Sequence, residues 1–371
     1  MINRIALIGN GFDLAHGLNT SYSDFIAWYF TQCGNSLLRE TGREFSDGLC
    51  SFKINDGVEP ANWALAFQGW HFKRENPFIP WNGIEAFTRA YCDRDFCEVS
   101  FLSPLLKKVW KHVISLGWVD IENEYFSLLT QGQLITGAML SKPDYKEING
   151  HLDILRDKLI EYLKSESEKE CPVIDKINDI IYRPIKGREI SVSFIRAVNK
   201  KDIGDVEPYR TMFLNFNYTK TPEQYVTPSS NVVVNYIHGN LDNPESVIFG
   251  YGDELDSSFK RLQDLNENEC LRHMKSIRYQ EADNYRRMLE FIESNPFQVI
   301  ILGHSCGNSD RTLLNTLFEH KNCVSIKPYY YVKEDGTDSY LEMIQNISRN
   351  FTDMKLMRDK VVNKTYCETI T

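Results

Sequence analysis

The chain has 371 residues, 42% of them hydrophobic and 25% charged, with a formal net charge of −9 at pH 7. That length suffices for a large core and for one elaborated domain or two. The negative balance excludes a general electrostatic grip on nucleic acid. Nine cysteines, an odd number with no C-x-x-C spacing, support neither a disulfide framework nor a four-cysteine zinc module. Scattered thiols suit a reducing cytoplasm. Neither a signal peptide nor a long uncharged apolar run is evident, so a cytoplasmic protein without membrane contact is expected.

Taken in order, the first element is Ile5-Ala6-Leu7-Ile8, a short apolar run that reads as a buried strand. It leads into Gly9-Asn10-Gly11-Phe12-Asp13, where the two glycines permit a sharp turn and close approach of a ligand to the backbone. Thr20-Ser21-Tyr22-Ser23 then offers hydroxyls to cap a helix through Trp28. Strand, glycine turn and helix make a candidate nucleotide site, because phosphates favour backbone N–H groups and helix N-termini. The third glycine of the dinucleotide fingerprint is missing, and Asp13 would repel a phosphate if it pointed inward. The alternative is a tight turn that Asp13 caps or braces.

Residues 33–204 lose the strand–helix rhythm and read as a mainly helical insertion, a lobe or lid. The stretch 40–82, with Trp63, Trp70 and Trp81 among Gly, Asn and Pro, reads as loop with short helices. Three tryptophans there close a small core more readily than they stack on a base. Helices are expected near 84–91, 103–116 and 120–130, the last capped by Asp120. Residues 146–168 carry an apolar stripe at helical spacing that packs as core.

From residue 211 the strand rhythm returns. A strand over 211–216 ends in Asn217-Tyr218-Thr219, with Thr219 or Thr221 placed to cap a short helix that Pro222 begins. A strand over 232–237 ends at His238-Gly239-Asn240, and 247–249 reads as a shorter third. Residues 257–293 read as two charged helices. A buried strand over 298–302 runs into Gly303-His304-Ser305, after which Asp310 starts a helix. A strand near 324–332 and a helix near 337–349 close the pattern. Four strand ends thus carry polar or glycine-bearing loops. In a parallel α/β sheet these lie on one edge, where ligands bind. The expected fold is an α/β, Rossmann-like core built from 1–32 and 205–371.

These residues bear a resemblance. Ile8-Gly9-Asn10-Gly11-Phe12-Asp13-Leu14-Ala15-His16-Gly17-Leu18 and the following Asn19-Thr20-Ser21-Tyr22-Ser23-Asp24-Phe25 resemble the N-terminal signature of AbiH proteins, a bacterial abortive-infection, anti-phage family. Phe216-Asn217-Tyr218-Thr219, Ile237-His238-Gly239 and Gly303-His304-Ser305 with Asp310 resemble its later motifs. The resemblance runs nearly end to end, more loosely over 33–117. More remotely, the motif order is similar to the sirtuin-like NAD-binding fold. That resemblance implies a loop of Gly9, Asn10 and Gly11 facing pyrophosphate and ribose. It implies Asn217 holding a ribose hydroxyl or an attacking water, His238 as base, and Gly303 and Ser305 on the adenosine side. Phe12, Asp13, Thr219, Gly239 and His304 complete the nucleotide-lining set. Two departures stand out: Thr219 occupies the place of an expected aspartate, and the zinc-binding cysteines are absent. The second argues against protein deacylation and for the NAD-cleaving defence branch.

The implied activity is hydrolysis of NAD at the nicotinamide–ribose bond, with NAD as substrate or ligand and no metal. Asn217 can orient ribose or water without titrating, and a histidine titrates near neutrality. The alternatives are a non-catalytic sensor of ADP-ribose-like nucleotides and a metal-dependent nuclease using Asp13, His16 and Asp310. Cys306 has no basic neighbour to make it a thiolate nucleophile. An effector of this kind is silent until a phage trigger arrives, so a homo-oligomer or a defence partner is expected.

Overall fold

The computed structural model describes residues 1–39, 43–59, 88, 97–131, 143–200, 203–333 and 335–371. Most of the helix expected at 84–91, and Trp63, Trp70 and Trp81, lie outside the described residues. Among those described are eight strands: β1 (Asn3–Ile8), β2 (Glu44–Ser46), β3 (Cys50–Ile54), β4 (Cys97–Phe101), β5 (Thr211–Asn215), β6 (Val232–Tyr236), β7 (Phe297–Leu302) and β8 (Cys323–Tyr329). The chain forms two compact units, one of Met1–Asn19 with Leu163–Thr371 and one of Thr20–Tyr162.

The first unit is an α/β fold around a five-stranded sheet of order β6-β5-β1-β7-β8, parallel throughout. Every residue of β1 and β7 is buried, as a parallel sheet covered on both faces requires. On one face Ile5, Leu7, Leu214, Val299 and Ile301 pack with Phe291, Leu314 and Ile347 from three helices, Asn284–Ser294, Arg311–Phe318 and Tyr340–Arg349. On the other, Ala6, Ile8, Phe213, Ile300 and Leu302 meet Phe12 and Ile177, Ile180 and Ile181 of the helix Asp175–Tyr182. Each such aliphatic side chain contributes about 1.5–3 kcal/mol on full burial.

Arg4 sits in the middle of β1 at 2% exposure. Its guanidinium donates to Gln298 Oε1 at 3.1 Å and to the carbonyls of Ile181 and Arg183 at 2.7 and 2.8 Å. Those carbonyls belong to the end of the helix Asp175–Tyr182, where the main chain lacks partners of its own. Arg4 therefore ties that helix to the sheet. Burial lowers its pKa to about 10, which leaves it charged at neutral pH. The helices expected to belong to the insertion beyond residue 163 thus pack on the sheet, and the units divide near 20 and 162 where 33 and 204 were expected.

The second unit holds the antiparallel sheet β2-β3-β4 together with helices. Strands stand where loop was expected near 44–54. In β3, Cys50, Phe52 and Ile54 are buried and alternate with Ser51 and Lys53, a period of two. Helices Pro104–Leu116, Ile121–Thr130 and Tyr145–Ser167 match the expected positions. Asp120 accepts from the Asn123 N–H as the N-cap, and Ser103 caps the preceding helix through Leu106.

Several boundaries differ from expectation. A helix begins directly at Asn10 (Asn10–Ala15), before the one over Tyr22–Arg39. The 3-10 turn Thr221–Tyr225 has no side-chain cap, because Thr219 bonds elsewhere. Residues 247–249 form no strand; the Ile248 N–H closes a turn onto the His238 carbonyl at 2.9 Å. Helices Ser257–Asp264 and Asn284–Ser294 are joined by a short helix, Lys275–Arg278. Among the described residues, no helix is long and apolar enough to cross a membrane.

Candidate functional site

The chain runs outward from β1 through β5 to β6, then returns to the other side of β1 with β7 and β8. The carboxyl ends of β1 and β7 therefore flank the point where the order reverses, the usual ligand crevice of such sheets. Here Gly9–Phe12 and Gly303–His304 lie backbone to backbone. The Gly11 N–H donates to the Gly303 carbonyl at 2.8 Å, and the Gly9 N–H to that of Leu302 at 3.2 Å. A Cβ on Gly9 would stand 2.4 Å from His304 Cα. Gly303 has φ +76°, and a Cβ there would stand 2.1 Å from the Phe12 nitrogen. Both glycines serve the contact between two loops. The Phe12 N–H donates to Gly9 at 2.8 Å, so the amides of Gly9, Gly11 and Phe12 all have protein partners. Asn10, Asn217 and Ser305 reach the surface of this edge.

Asn217 is pinned between two strand ends. Its N–H donates to Asn215 Oδ1 at 3.1 Å and its Nδ2 to the Gly9 carbonyl at 3.0 Å. Asp13 lies beneath, 1% exposed, and accepts from Thr219 Oγ1 at 2.6 Å. Thr221 donates in turn to Thr219 at 3.3 Å. An aspartate at 219 would set two buried carboxylates against each other, which accounts for the threonine. Burial pushes the Asp13 carboxyl up to about 6, against the hydrogen bonds of Thr219, Thr221 and Asn217.

A raised carboxyl pKa means that the native state holds the proton more tightly than the unfolded chain. Stability from this group is full below the unfolded value near 4 and is lost as pH rises through about 6. The loss is about 3 kcal/mol at about 1.4 kcal/mol per pH unit. Asp13→Asn is therefore expected to melt above the wild type at pH 8 and near it at pH 4, as followed by thermal unfolding across pH. Equal melting temperatures at both pH values would contradict the buried-carboxyl assignment.

His16 has a structural role. Tyr225 accepts from the Ile174 N–H at 2.9 Å, so its own proton goes to His16 Nε2 at 2.6 Å. His16 Nδ1 then donates to the Phe12 carbonyl at 2.7 Å.

A second cluster fills the edge between β6 and β7. Asp310 occupies the N-cap position of the helix Arg311–Phe318, yet its side chain makes no capping bond. Its Oδ1 instead lies 2.8 Å from Lys275 Nζ and 3.2 Å from His238 Nε2, and its Oδ2 lies 3.6 Å from His304 Nε2. The Tyr279 hydroxyl is 3.1 Å from His238 Nε2, with the rings parallel. Phe216, next to Asn217, packs its ring 4.1 Å from His304 and edge-on at 5.3 Å from His238. Lys275 is 1% exposed and His238 4%. Gly239, at φ +79°, turns the chain sharply behind His238.

The protonation pattern follows from the partners. His304 Nδ1 accepts from the Cys306 N–H at 2.9 Å, which puts its proton on Nε2, toward Asp310. Burial and then the Lys275 cation push His238 below its ordinary value, outweighing Asp310, so it is neutral at pH 7. Burial opposes ionisation of Asp310, but Lys275 and His238 hold the carboxylate well below its ordinary range. Assigning the His238 proton to Nε2, where two oxygens accept it, leaves the lone pair on Nδ1. Burial raises the Cys306 thiol, which is no nucleophile in this state.

The edge thus gathers Gly9 to Asp13, Asn217, Thr219, His238, Gly239, Gly303 and His304. Ser305 is exposed on the rim, its carbonyl accepting from Asn346 at 2.9 Å. The sequence reading missed Lys275 and Tyr279. Among the described residues, no group of three His, Cys, Asp or Glu is set to hold a metal ion.

The family model described as bacteriophage abortive infection AbiH matches residues 5–331. The chain belongs to the AbiH family. The matched region holds the strands of the parallel sheet except the first two residues of β1, and every residue of both clusters, so the site lies within what defines the family. Membership gives this AbiH protein a role in abortive infection, a defence against phage. No curated protein and no solved structure matches the chain.

Proposed function

We propose that this AbiH protein is an abortive-infection effector whose sheet-edge site binds NAD and hydrolyses its nicotinamide–ribose bond. The observation that carries the reading is the Asp310–His238 pair, 3.2 Å apart, at the carboxyl edge that also presents Asn217. Cleavage passes through an oxocarbenium-like centre at the ribose, and an attacking water must lose a proton as its oxygen bonds to that carbon. Nicotinamide leaves neutral with the electron pair of the broken bond. His238 Nδ1 takes the proton, and Asp310, bonded to Nε2–H, stabilises the imidazolium that forms. Asn217 orients the ribose hydroxyl or the water, and Asn10 and Ser305 meet the rest of the nucleotide. The motif order, similar to sirtuin-like NAD sites, supports the same reading.

In this state Tyr279 covers His238, so turnover requires that cover to shift, which suits an effector silent until a phage trigger. The same burial favours a second reading, a nucleotide sensor without chemistry. Nucleotide quantification by mass spectrometry in phage-infected cells separates the two. For a hydrolase, NAD falls and nicotinamide rises with the wild type only. Asn217→Ala and His238→Ala leave NAD at control levels. Protection with unchanged NAD removes the hydrolase and favours the sensor.

A further inference from the structure

We propose that Lys275 is a positioning residue of this site, holding Asp310 as an anion so that Asp310 holds both His238 and His304 with Nε2 turned inward. The role assigned to Lys275 rests, in its catalytic part, on the reading of His238 as a base. Lysine is almost never fully buried without a partner, and Lys275 is buried at 1% exposure with its Nζ 2.8 Å from Asp310 Oδ1. Its placement is fixed from the backbone outward. The Lys275 N–H donates to the Tyr251 carbonyl at 2.8 Å, and Tyr251 pairs with Met274 in a short bridge. Its stem lies close against Gly252, where a Cβ would come within 3.2 Å of Lys275 Cβ.

Lys275 and Tyr279 are four residues apart, one helical turn, and therefore share a face. Lys275 reaches Asp310 and Tyr279 reaches His238, so a single short segment meets both members of the pair. The groups that face Asp310 are Lys275, His238 from the loop after β6, and His304 and Cys306 from the loop after β7. Tyr279 and Phe216 close the cluster around the histidines. Among the described residues of the cluster, one fixed cation already balances the one carboxylate. A second positive charge on His238 is then unfavourable, and the ring stays neutral with a lone pair available. Without Lys275, the buried carboxylate draws a proton onto His238 at higher pH, and the base is lost where it is needed.

The test is the titration of the His238 ring followed by long-range nitrogen–proton NMR in the wild type, Lys275→Met and Lys275→Arg. The wild-type ring is expected to protonate only below the ordinary imidazole value, and Lys275→Arg to match it. In Lys275→Met it is expected to protonate at a higher pH than in the wild type. The acidic limb of NAD cleavage then moves up by about one pH unit, a tenfold change in the fraction of competent base. A folded Lys275→Met with unchanged His238 titration overturns the proposal. If Lys275→Met does not fold, the wild type alone decides, because a His238 titrating at its ordinary value near 6.5 contradicts it equally. A shifted titration in Lys275→Met with no NAD cleavage by any form overturns the hydrolase reading and supports the role of Lys275.

Discussion

Asp310→Ala is expected to lose about 3 to 5 kcal/mol of stability, because it leaves the Lys275 ammonium buried without its counter-charge. The size of the effect comes from desolvation. Lys275 is 1% exposed, and Asp310 is its partner at 2.8 Å. The exposed pair Lys260–Asp264, at a similar 2.7 Å, serves as the control. Its removal is expected to be barely measurable, since water screens both charges. Chemical denaturation of the two alanine variants makes the comparison. Adding Lys275→Met to Asp310→Ala is expected to restore part of the loss, because an apolar pair carries no unpaired charge. If the double substitution is worse than the single, the cost lies in packing and the ion-pair explanation fails.

Gly303→Ala is expected to cost about 2–5 kcal/mol or to prevent accumulation of folded protein. Two terms combine. The left-handed conformation at φ +76° costs an alanine roughly 1–2 kcal/mol. Its Cβ would also stand 2.1 Å from the backbone nitrogen of Phe12, and overpacking of that kind adds roughly 1–3 kcal/mol. Gly336→Ala isolates the first term, since φ there is +80° with nothing within 4 Å. The difference between the two in denaturant midpoint measures the contact between the β1 and β7 loops. Equal costs would mean that the loops part readily.

The sheet was legible because β1, β5, β7 and β8 are buried along their length and carry apolar runs, while β6 at the edge is rich in valine; glycine and polar residues follow each strand. Once the strands are parallel, their ends must share an edge, which is why Asn217, His238 and the Gly303 loop could be grouped from sequence. The partnerships within that edge were not legible. Gly9 and Gly11 read as room for a ligand, whereas Gly303 and His304 fill the space beside them. Thr219 read as a departure from a pattern, and its reason, Asp13, is 206 positions away in sequence. Asp310 read as a helix start, which it is, but its carboxylate bonds into the site instead of capping. Lys275 lies in a highly charged segment, and nothing local separates it from lysines at the surface. The strands of the second unit were missed for a different reason. They are short, and the Phe52–Ile54 alternation is masked by a surrounding stretch rich in Gly, Asp and Asn.

The most direct measurement is phage plating on cells carrying the wild type, Asn217→Ala or His238→Ala, with protein levels and folding matched. Asn217 is the informative position because its side chain is partly exposed and its bond to the Gly9 carbonyl is a modest contribution to stability of about 1 kcal/mol. The expected result is protection by the wild type and plating on both variants equal to that on cells without the protein. Full protection by a folded Asn217→Ala would contradict the assignment of the sheet edge as the working site of this defence.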